Sequence, residues 1–269
     1  MKYLLSIVLV ITIAVTSFGT GQFTERINDN GVDKGLASYL LELDSVSFSK
    51  IKKRIPDNWF SSNLWRKYIG YWKIKNDSLF LDSILTAGGA TSNSNGYALV
   101  KIHDIYANRR TQSGYFADWV TDTLRIVSGE LINYVHMGWE SNWEKEEFVT
   151  VENGLIKNRI VYKNRIVNPG NEAKWYRDVQ SLGVGDIPRR IILQIRCRGF
   201  DKNGTPTGYD IKVVRGCGDK SVDDRVVKAL KDANLIPNII PVYYIRGHYK
   251  SYDMFVPIPK STGPEDTSK

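Results

Sequence analysis

Acidic residues cluster around two tryptophans in the middle of the sequence, and carboxylates are the side chains here best suited to acid–base chemistry. The cluster comprises Trp139, Glu140, Trp143, Glu144, Glu146 and Glu147. A carboxylate pair beside aromatic rings is typical of glycosidases, in which one group protonates the leaving sugar and the other attacks or activates water. No spacing among these glutamates singles out such a pair. We therefore expect a charged loop between two strands, with a glycan-binding or glycan-active site as the alternative.

Most of the tryptophans lie in the first part of the chain, where tyrosines are also frequent. They are Trp59, Trp65, Trp72, Trp119, Trp139 and Trp143. Large, rigid rings of this kind can line a cleft for a sugar or an apolar ligand. They can equally fill the core of a small β-sheet, and we expect that role for them.

Other patterns of catalytic residues are missing from the sequence. His103, His136 and His248 are far apart, and none has a second histidine one helical turn away, as metal-binding pairs do. Neither cysteine has a neighbouring histidine, and no serine lies in a nucleophile elbow. We predict no metal, no cofactor and no enzymatic activity.

The elements that would position a binding site are clearest near the end of the chain. Two runs rich in β-branched residues, from Ile191 and from Tyr209, flank Asn203-Gly204. Asn-Gly supplies the positive φ angles that a tight hairpin turn requires. The sequence therefore predicts a β-hairpin with its turn near Asn203 and Gly204.

The hairpin geometry also bears on the two cysteines. With the turn at Asn203, Cys197 lies opposite Tyr209, whereas Cys217 lies several residues further along the ladder. The separation exceeds the reach of a disulfide, which is about 7 Å between Cα atoms. We expect no disulfide within this module and a free, half-buried Cys197.

A helix and further strands follow the hairpin. Ser221 is predicted as the helix N-cap, Asp224 completes a short capping box, and apolar residues recur at helical spacing. Pro237 is predicted to end the helix. Val242–Tyr244 and Met254–Ile258 then offer strand material for a third pairing.

These motifs together resemble the C-terminal domain of the energy transducer TonB, over roughly residues 188–260. The resemblance is carried by Asp201–Gly204, Ile211–Val214, Gly218–Asp224, Ala229–Lys231, Pro237 and Phe255–Ile258. It implies a small ββαβ module that binds an extended segment of an outer-membrane receptor by adding a strand to an exposed sheet edge. The last strand is the expected edge, and its partner-binding residues would be Tyr252, Met254, Phe255, Val256 and Ile258.

The first half of the chain shows the alternation of antiparallel β-structure. Tyr68–Ile74 and Leu79–Leu85 alternate on either side of a turn at Lys75–Ser78, and Glu152–Gly154 marks another tight turn. Residues 88–96 are too polar and too rich in glycine to be core, and are predicted as a loop. The fold class expected for the whole chain is α+β.

The expected organisation has four parts. Residues 1–21 resemble a cleaved signal peptide, with an apolar run shorter than a relaxed membrane span of about 20 residues. A β-rich domain at 22–168, the TonB-like module at 169–260 and a disordered tail at 261–269 follow. The net charge of +8 is scattered among acidic residues, which argues against nucleic acid as a partner.

Taken together, the sequence predicts a non-enzymatic periplasmic protein of a Gram-negative-type envelope, which binds an outer-membrane receptor or another envelope protein. Two alternatives concern the module. If the apolar N-terminal segment is an uncleaved inner-membrane anchor, the protein would be a TonB-type energy transducer, although the extended Pro-rich linker of a transducer is missing. Alternatively, the edge strand would pair with a second copy and form a homodimer.

Overall fold

The structure is a computed structural model that describes residues 21–57, 61–87 and 97–261. The chain divides into two compact units. They are an N-terminal unit, Met1–Lys163, and a C-terminal unit, Asn164–Lys269. Strands dominate both, with few helices, so the fold is a β-rich α+β fold as predicted.

Several predictions made from the sequence lie outside the described residues. They concern the signal segment at 1–21 except Gly21, Trp59, the loop at 88–96 and the tail at 261–269 except Ser261. Within the described residues, no helix has the length and apolar character needed to span a membrane.

The N-terminal unit contains ten strands and one α-helix among its described residues. The strands are β1 Glu25–Asp29, β2 Val32–Leu36, β3 Tyr68–Lys75, β4 Ser78–Ala87, β5 Tyr97–Leu99, β6 Arg110–Thr111, β7 Gly114–Phe116, β8 Asp122–Asn133, β9 Asn142–Glu152 and β10 Leu155–Lys163, and the helix is α1 Ser45–Lys52. They form one sheet in the order β10-β9-β8-β2-β1-β3-β4-β7-β6, with β5 beside β4. All neighbours are antiparallel except β1 and β3.

The sheet closes on itself where β10 returns to β4. Leu155 pairs with Ser78, and the Ile156 N–H donates to the Asp77 carbonyl at 2.9 Å. The interior face is apolar because alternate residues point inward, as in β3, where Tyr68, Trp72 and Ile74 are buried. The predicted β3–β4 hairpin is present.

Its turn lies at Lys75–Ser78, as predicted. Lys75 pairs directly with Ser78, so Asn76 and Asp77 alone form the loop. Both have left-handed backbone conformations, φ 50° and 54°, as the two central residues of a type I′ turn require.

The C-terminal unit contains six strands and three helices among its described residues. They are β11 Arg165–Asn168, α2 Glu172–Gln180, β12 Ile191–Phe200, β13 Pro206–Arg215, α3 Lys220–Asp232, α4 Ile236–Ile239, β14 Val242–Ile245, β15 His248–Lys250 and β16 Met254–Ile258. One antiparallel sheet has the order β13-β12-β16, and a second has the order β11-β14-β15. The apolar faces of α2 and α3 pack with the first sheet in one core that includes Trp175, Val226 and Leu193.

Of the two segments predicted to offer strand material for a third pairing, Met254–Ile258 pairs with β12. Val242–Tyr244 does not supply the third pairing of the hairpin, since β14 pairs with β11 and β15 in the second sheet. The same pairing brings Arg165–Asn168 into the C-terminal unit. The units therefore divide between Lys163 and Asn164, a few residues before the predicted boundary near Pro169.

The predicted cap of α3 was displaced by two residues. Asp219, not Ser221, is the N-cap, because its carboxylate accepts the Ser221 N–H at 2.8 Å. Ser221 lies in the first turn, where its hydroxyl donates to the same carboxylate at 2.7 Å. Asp224 makes no capping box and instead accepts from the Lys220 ammonium at 2.5 Å.

The predicted end of this helix was also displaced. α3 ends at Asp232, and Asn234 follows with φ 50°, a left-handed conformation common just beyond a helix. Pro237 does not end α3. It lies in the first turn of α4, where a missing N–H costs nothing.

Candidate functional site

The strand β16 forms one edge of the sheet β13-β12-β16. Met254 pairs with Ile195 and Ile258 with Ile191, so one side of β16 is held by β12. No strand pairs with its other side among the described residues. Such an edge presents backbone groups that an extended peptide can pair with.

The side chains of β16 divide between the two faces of the sheet. Val256 and Ile258 are buried in the core beneath α3, whereas Phe255 is 61% exposed on the opposite face. Met254 and Tyr252 are half-buried. Among the predicted partner-binding residues, Val256 and Ile258 thus anchor the strand in the core, whereas the Phe255 side chain is exposed.

Charged side chains fix the start of the strand. Asp253 accepts hydrogen bonds from Arg196 Nη2 at 2.6 Å and from Gln194 Nε2 at 2.8 Å, both on β12. The hydrogen bond from Arg196 lowers the pKa of the Asp253 carboxyl. Because the ion pair is largely exposed, it orients the strand more than it stabilises it.

Pro257 limits which backbone groups the free edge can offer. A proline has no N–H for a ladder hydrogen bond, so within a sheet it is tolerated where its nitrogen points away from the neighbouring strand. Backbone groups alternate between the two edges of a strand. We therefore expect Phe255 to direct its N–H and C=O outward, with only the C=O of Pro257 beyond it.

The predicted hairpin with its turn near Asn203 and Gly204 is present in this sheet. β12 and β13 are joined by Asp201–Thr205, with Gly204 at φ 83°. The Asp201 carboxylate accepts the Asn203 and Thr205 N–H groups, both at 2.8 Å, and these hydrogen bonds lower its pKa. A Cβ at Gly204 would collide with the Tyr249 ring, so glycine is required for space as well as for backbone conformation.

The two cysteines are free thiols. Cys197 pairs with Tyr209 across the hairpin, as predicted, and is half-buried, while Cys217 is buried. Burial raises the pKa of both thiols. Because the thiolate is the reactive form, neither side chain is activated as a nucleophile.

The structure separates the glutamates around Trp139 and Trp143 into two pairs. Glu146 is fully buried against Arg125, whose Nη2 lies 2.8 Å from Glu146 Oε1. Glu147 is also buried, 2.7 Å from both Lys34 Nζ and Arg159 Nη1. Both carboxylates are thus held in ion pairs within the fold, and neither is placed as a free acid or base.

The remaining two glutamates, Glu140 and Glu144, are exposed. The neighbouring Trp139 and Trp143 line a cleft of about 450 Å³ together with Phe23, Leu131 and Tyr134. Trp139 also stacks on Tyr39, with ring centroids 4.0 Å apart. The cluster therefore combines buried ion pairs with an aromatic cleft, where we had expected a charged loop.

The histidines are not brought together. His103 contacts Arg110 and His136 contacts Tyr134, while His248 begins β15. In the described part of the chain, no three His, Cys, Asp or Glu side chains are grouped so that they could hold a metal ion.

Sequence reasoning missed a buried carboxylate in the N-terminal unit. Glu25 is fully buried on β1 and accepts a hydrogen bond from Trp72 Nε1 at 2.5 Å. Arg66 Nε lies 3.8 Å from its other oxygen, and the Arg66 side chain is also buried. Burial raises the pKa of Glu25 to about 7, although the Arg66 charge and the Trp72 hydrogen bond partly oppose that rise.

This buried carboxylate predicts a pH-dependent stability. Folding raises the pKa of Glu25 above its unfolded value. The contribution of this group to the free energy of unfolding is therefore complete below about pH 4.5 and is lost as the pH rises towards 7, by about 3 kcal/mol at most. In Glu25→Gln, we expect the unfolding midpoint in urea to change little between pH 5 and pH 8. Glu152 is exposed, and Glu152→Gln should keep the pH dependence of the unfolding midpoint seen in the wild-type protein. If the midpoint depends on pH to the same extent in both variants, the assignment to Glu25 is contradicted.

No protein-family model matches this sequence, and no curated protein or solved structure matches it.

Proposed function

We propose that this is a non-enzymatic, exported envelope protein whose C-terminal unit binds an extended segment of an outer-membrane protein by strand addition at β16. The observation that carries the proposal is the position of β16, which is paired on one side with β12 and open on the other among the described residues. Main-chain pairing at such an edge gives affinity, and alternate side chains give selectivity.

Side chains of the C-terminal unit hold the edge strand β16 in place. Val256 and Ile258 pack into the core, and the ion pair of Asp253 with Arg196 fixes the strand where it begins. A strand held in place before binding loses little conformational freedom when a peptide docks. Exposed Phe255 adds a large apolar surface beside the backbone groups of the edge.

The resemblance to the TonB C-terminal domain supplies the class of partner. The order of elements agrees with it, because a hairpin with an Asn-Gly turn is followed by a capped helix and a last strand that pairs with the first strand of the hairpin. The chain differs in carrying α4, β14 and β15 between that helix and that strand. A periplasmic location and a receptor as the partner are parts of the proposal.

A backbone-selective variant tests strand addition. Phe255→Ala and Phe255→Pro both remove the aromatic ring of the side chain, but only Phe255→Pro also removes the backbone N–H that we expect to face the partner. Against an array of peptides from the periplasm-facing N-terminal segments of outer-membrane receptors, we expect Phe255→Pro to bind about tenfold more weakly than Phe255→Ala. Equal binding by both variants, with equal thermal stability, would rule out main-chain pairing at this position.

A further inference from the structure

The strand β13 forms the second open edge of the same sheet. It pairs with β12 on one side, and no other strand lies beside it among the described residues. Its pairing with β12 is regular from Tyr209 to Val213, and the register shifts lie outside that segment. Ile211 is the central residue of this regular stretch.

The side chains of the regular stretch alternate between the two faces of the sheet. Tyr209, Ile211 and Val213 are half-buried and pack against the core on the α3 side. Asp210 and Lys212 are exposed on the opposite face, where Asp210 also accepts a hydrogen bond from Arg198 Nε on β12 at 2.7 Å. The open face of this edge therefore carries one negative and one positive charge, placed symmetrically about Ile211.

That symmetry makes the strand complementary to itself. If two copies of β13 pair antiparallel about Ile211, Asp210 of each copy lies directly opposite Lys212 of the other, and the opposite charges attract. On the other face, Tyr209 lies opposite Val213 and Ile211 opposite Ile211, which are aromatic and β-branched pairs of the kind that stabilise sheets. Every position of the regular stretch gains a favourable neighbour.

The neighbouring registers are unfavourable. A pairing centred on Asp210 places two carboxylates opposite each other, and one centred on Lys212 places two ammonium groups opposite each other, which is destabilising. A shift by one residue opposes charged side chains to apolar ones. The charges thus select a single register, whereas charges of one sign would only repel a second copy.

We propose that the protein forms a two-fold symmetric dimer through β13, joining two three-stranded sheets into one sheet of six strands. The interface is isologous, because the same residues contribute from each copy. The β16 edge lies on the far side of β12 and remains open in the dimer. The dimer would therefore present two edges for strand addition, so that two weak sites could act together on one assembly.

The contact is one short strand pair, so we expect a weak, concentration-dependent dimer. Light scattering and sedimentation of the chain, over concentrations from about 5 μM to about 500 μM, should show a rising dimer fraction. Lys212→Asp places like charges opposite each other at two symmetric positions, and should weaken dimerisation by about tenfold or more.

Two further variants distinguish pairing at β13 from association through the β16 edge or another surface. Asp210→Lys/Lys212→Asp restores opposite charges and should restore the dimer, while Phe255→Pro at the β16 edge should leave it unchanged. Thermal unfolding checks that each variant is folded. A monomer at every concentration, a dimer unaffected by Lys212→Asp, or a dimer lost only in Phe255→Pro would overturn the proposal.

Discussion

Replacing Arg125 with alanine is expected to destabilise the N-terminal unit by about 3–5 kcal/mol, because it removes the guanidinium that neutralises the fully buried carboxylate of Glu146. Arg125 Nε and Nη2 donate to the two oxygens of Glu146, at 3.2 and 2.8 Å. The same guanidinium donates to the carbonyls of Trp139 and Ser141, which belong to the loop that lines the aromatic cleft. The loss should appear in urea unfolding monitored by tryptophan fluorescence.

Two variants test whether the effect of Arg125→Ala comes from the buried ion pair with Glu146 or from the removal of any charged side chain. Lys73→Ala removes one member of a partly exposed pair with Asp82 and should cost about 1 kcal/mol or less. Arg125→Met/Glu146→Leu removes both buried charges and should recover much of the stability lost in Arg125→Ala. If Arg125→Ala costs no more than Lys73→Ala, the pair does not stabilise this unit.

Trp175→Ala is expected to destabilise the C-terminal unit by about 3–5 kcal/mol, through the loss of a large ring and the cavity that it leaves. Trp175 lies on α2 and is 1% exposed, in the same core as Ile191, Leu193 and Val226. Its ring nitrogen makes no hydrogen bond within the described residues, so the effect is one of packing. The helix α2, which precedes the β12–β13 hairpin, is thus part of the core of this unit.

Amide hydrogen exchange shows in which of the two units stability is lost. In Trp175→Ala, exchange should accelerate in β12 and α3, while the interior strands of the N-terminal unit keep their protection. Phe255→Ala is the matched control, because it removes an aromatic ring that is 61% exposed and should cost far less. Unchanged exchange in β12 would show that α2 does not stabilise the sheet.

Local signals in the sequence predict much of the C-terminal unit. Asn203-Gly204 locates the hairpin because its turn requires positive φ, and alternation predicts β12 and β13. The helix cap was harder, because Asp219 and Ser221 are both good capping residues, and only the geometry shows which one reaches the free N–H groups. The strand β11 has four residues, too few for alternation to show, and its partner β14 lies far along the chain.

The charged groups inside the N-terminal unit could not be predicted from the sequence. Asp29 on β1 contacts Lys34 on β2 and Arg159 on β10, at 2.7 and 2.5 Å. Burial alone would raise the pKa of Asp29, but hydrogen bonds from Arg159 and Lys34 lower it to about 2. Asp29 and Arg159 lie on strands far apart in the sequence, and Glu25 and Arg66 are also distant, so these contacts form only when the sheet assembles.

The most direct test of strand addition at β16 is amide hydrogen exchange, resolved by residue, with and without the tightest-binding receptor peptide. We predict that exchange at Phe255 slows when the peptide binds, because its N–H gains a main-chain acceptor. Amides of β12, already paired on both sides, should change little. A peptide that binds while exchange at Phe255 and the rest of β16 stays unchanged would contradict the proposed function.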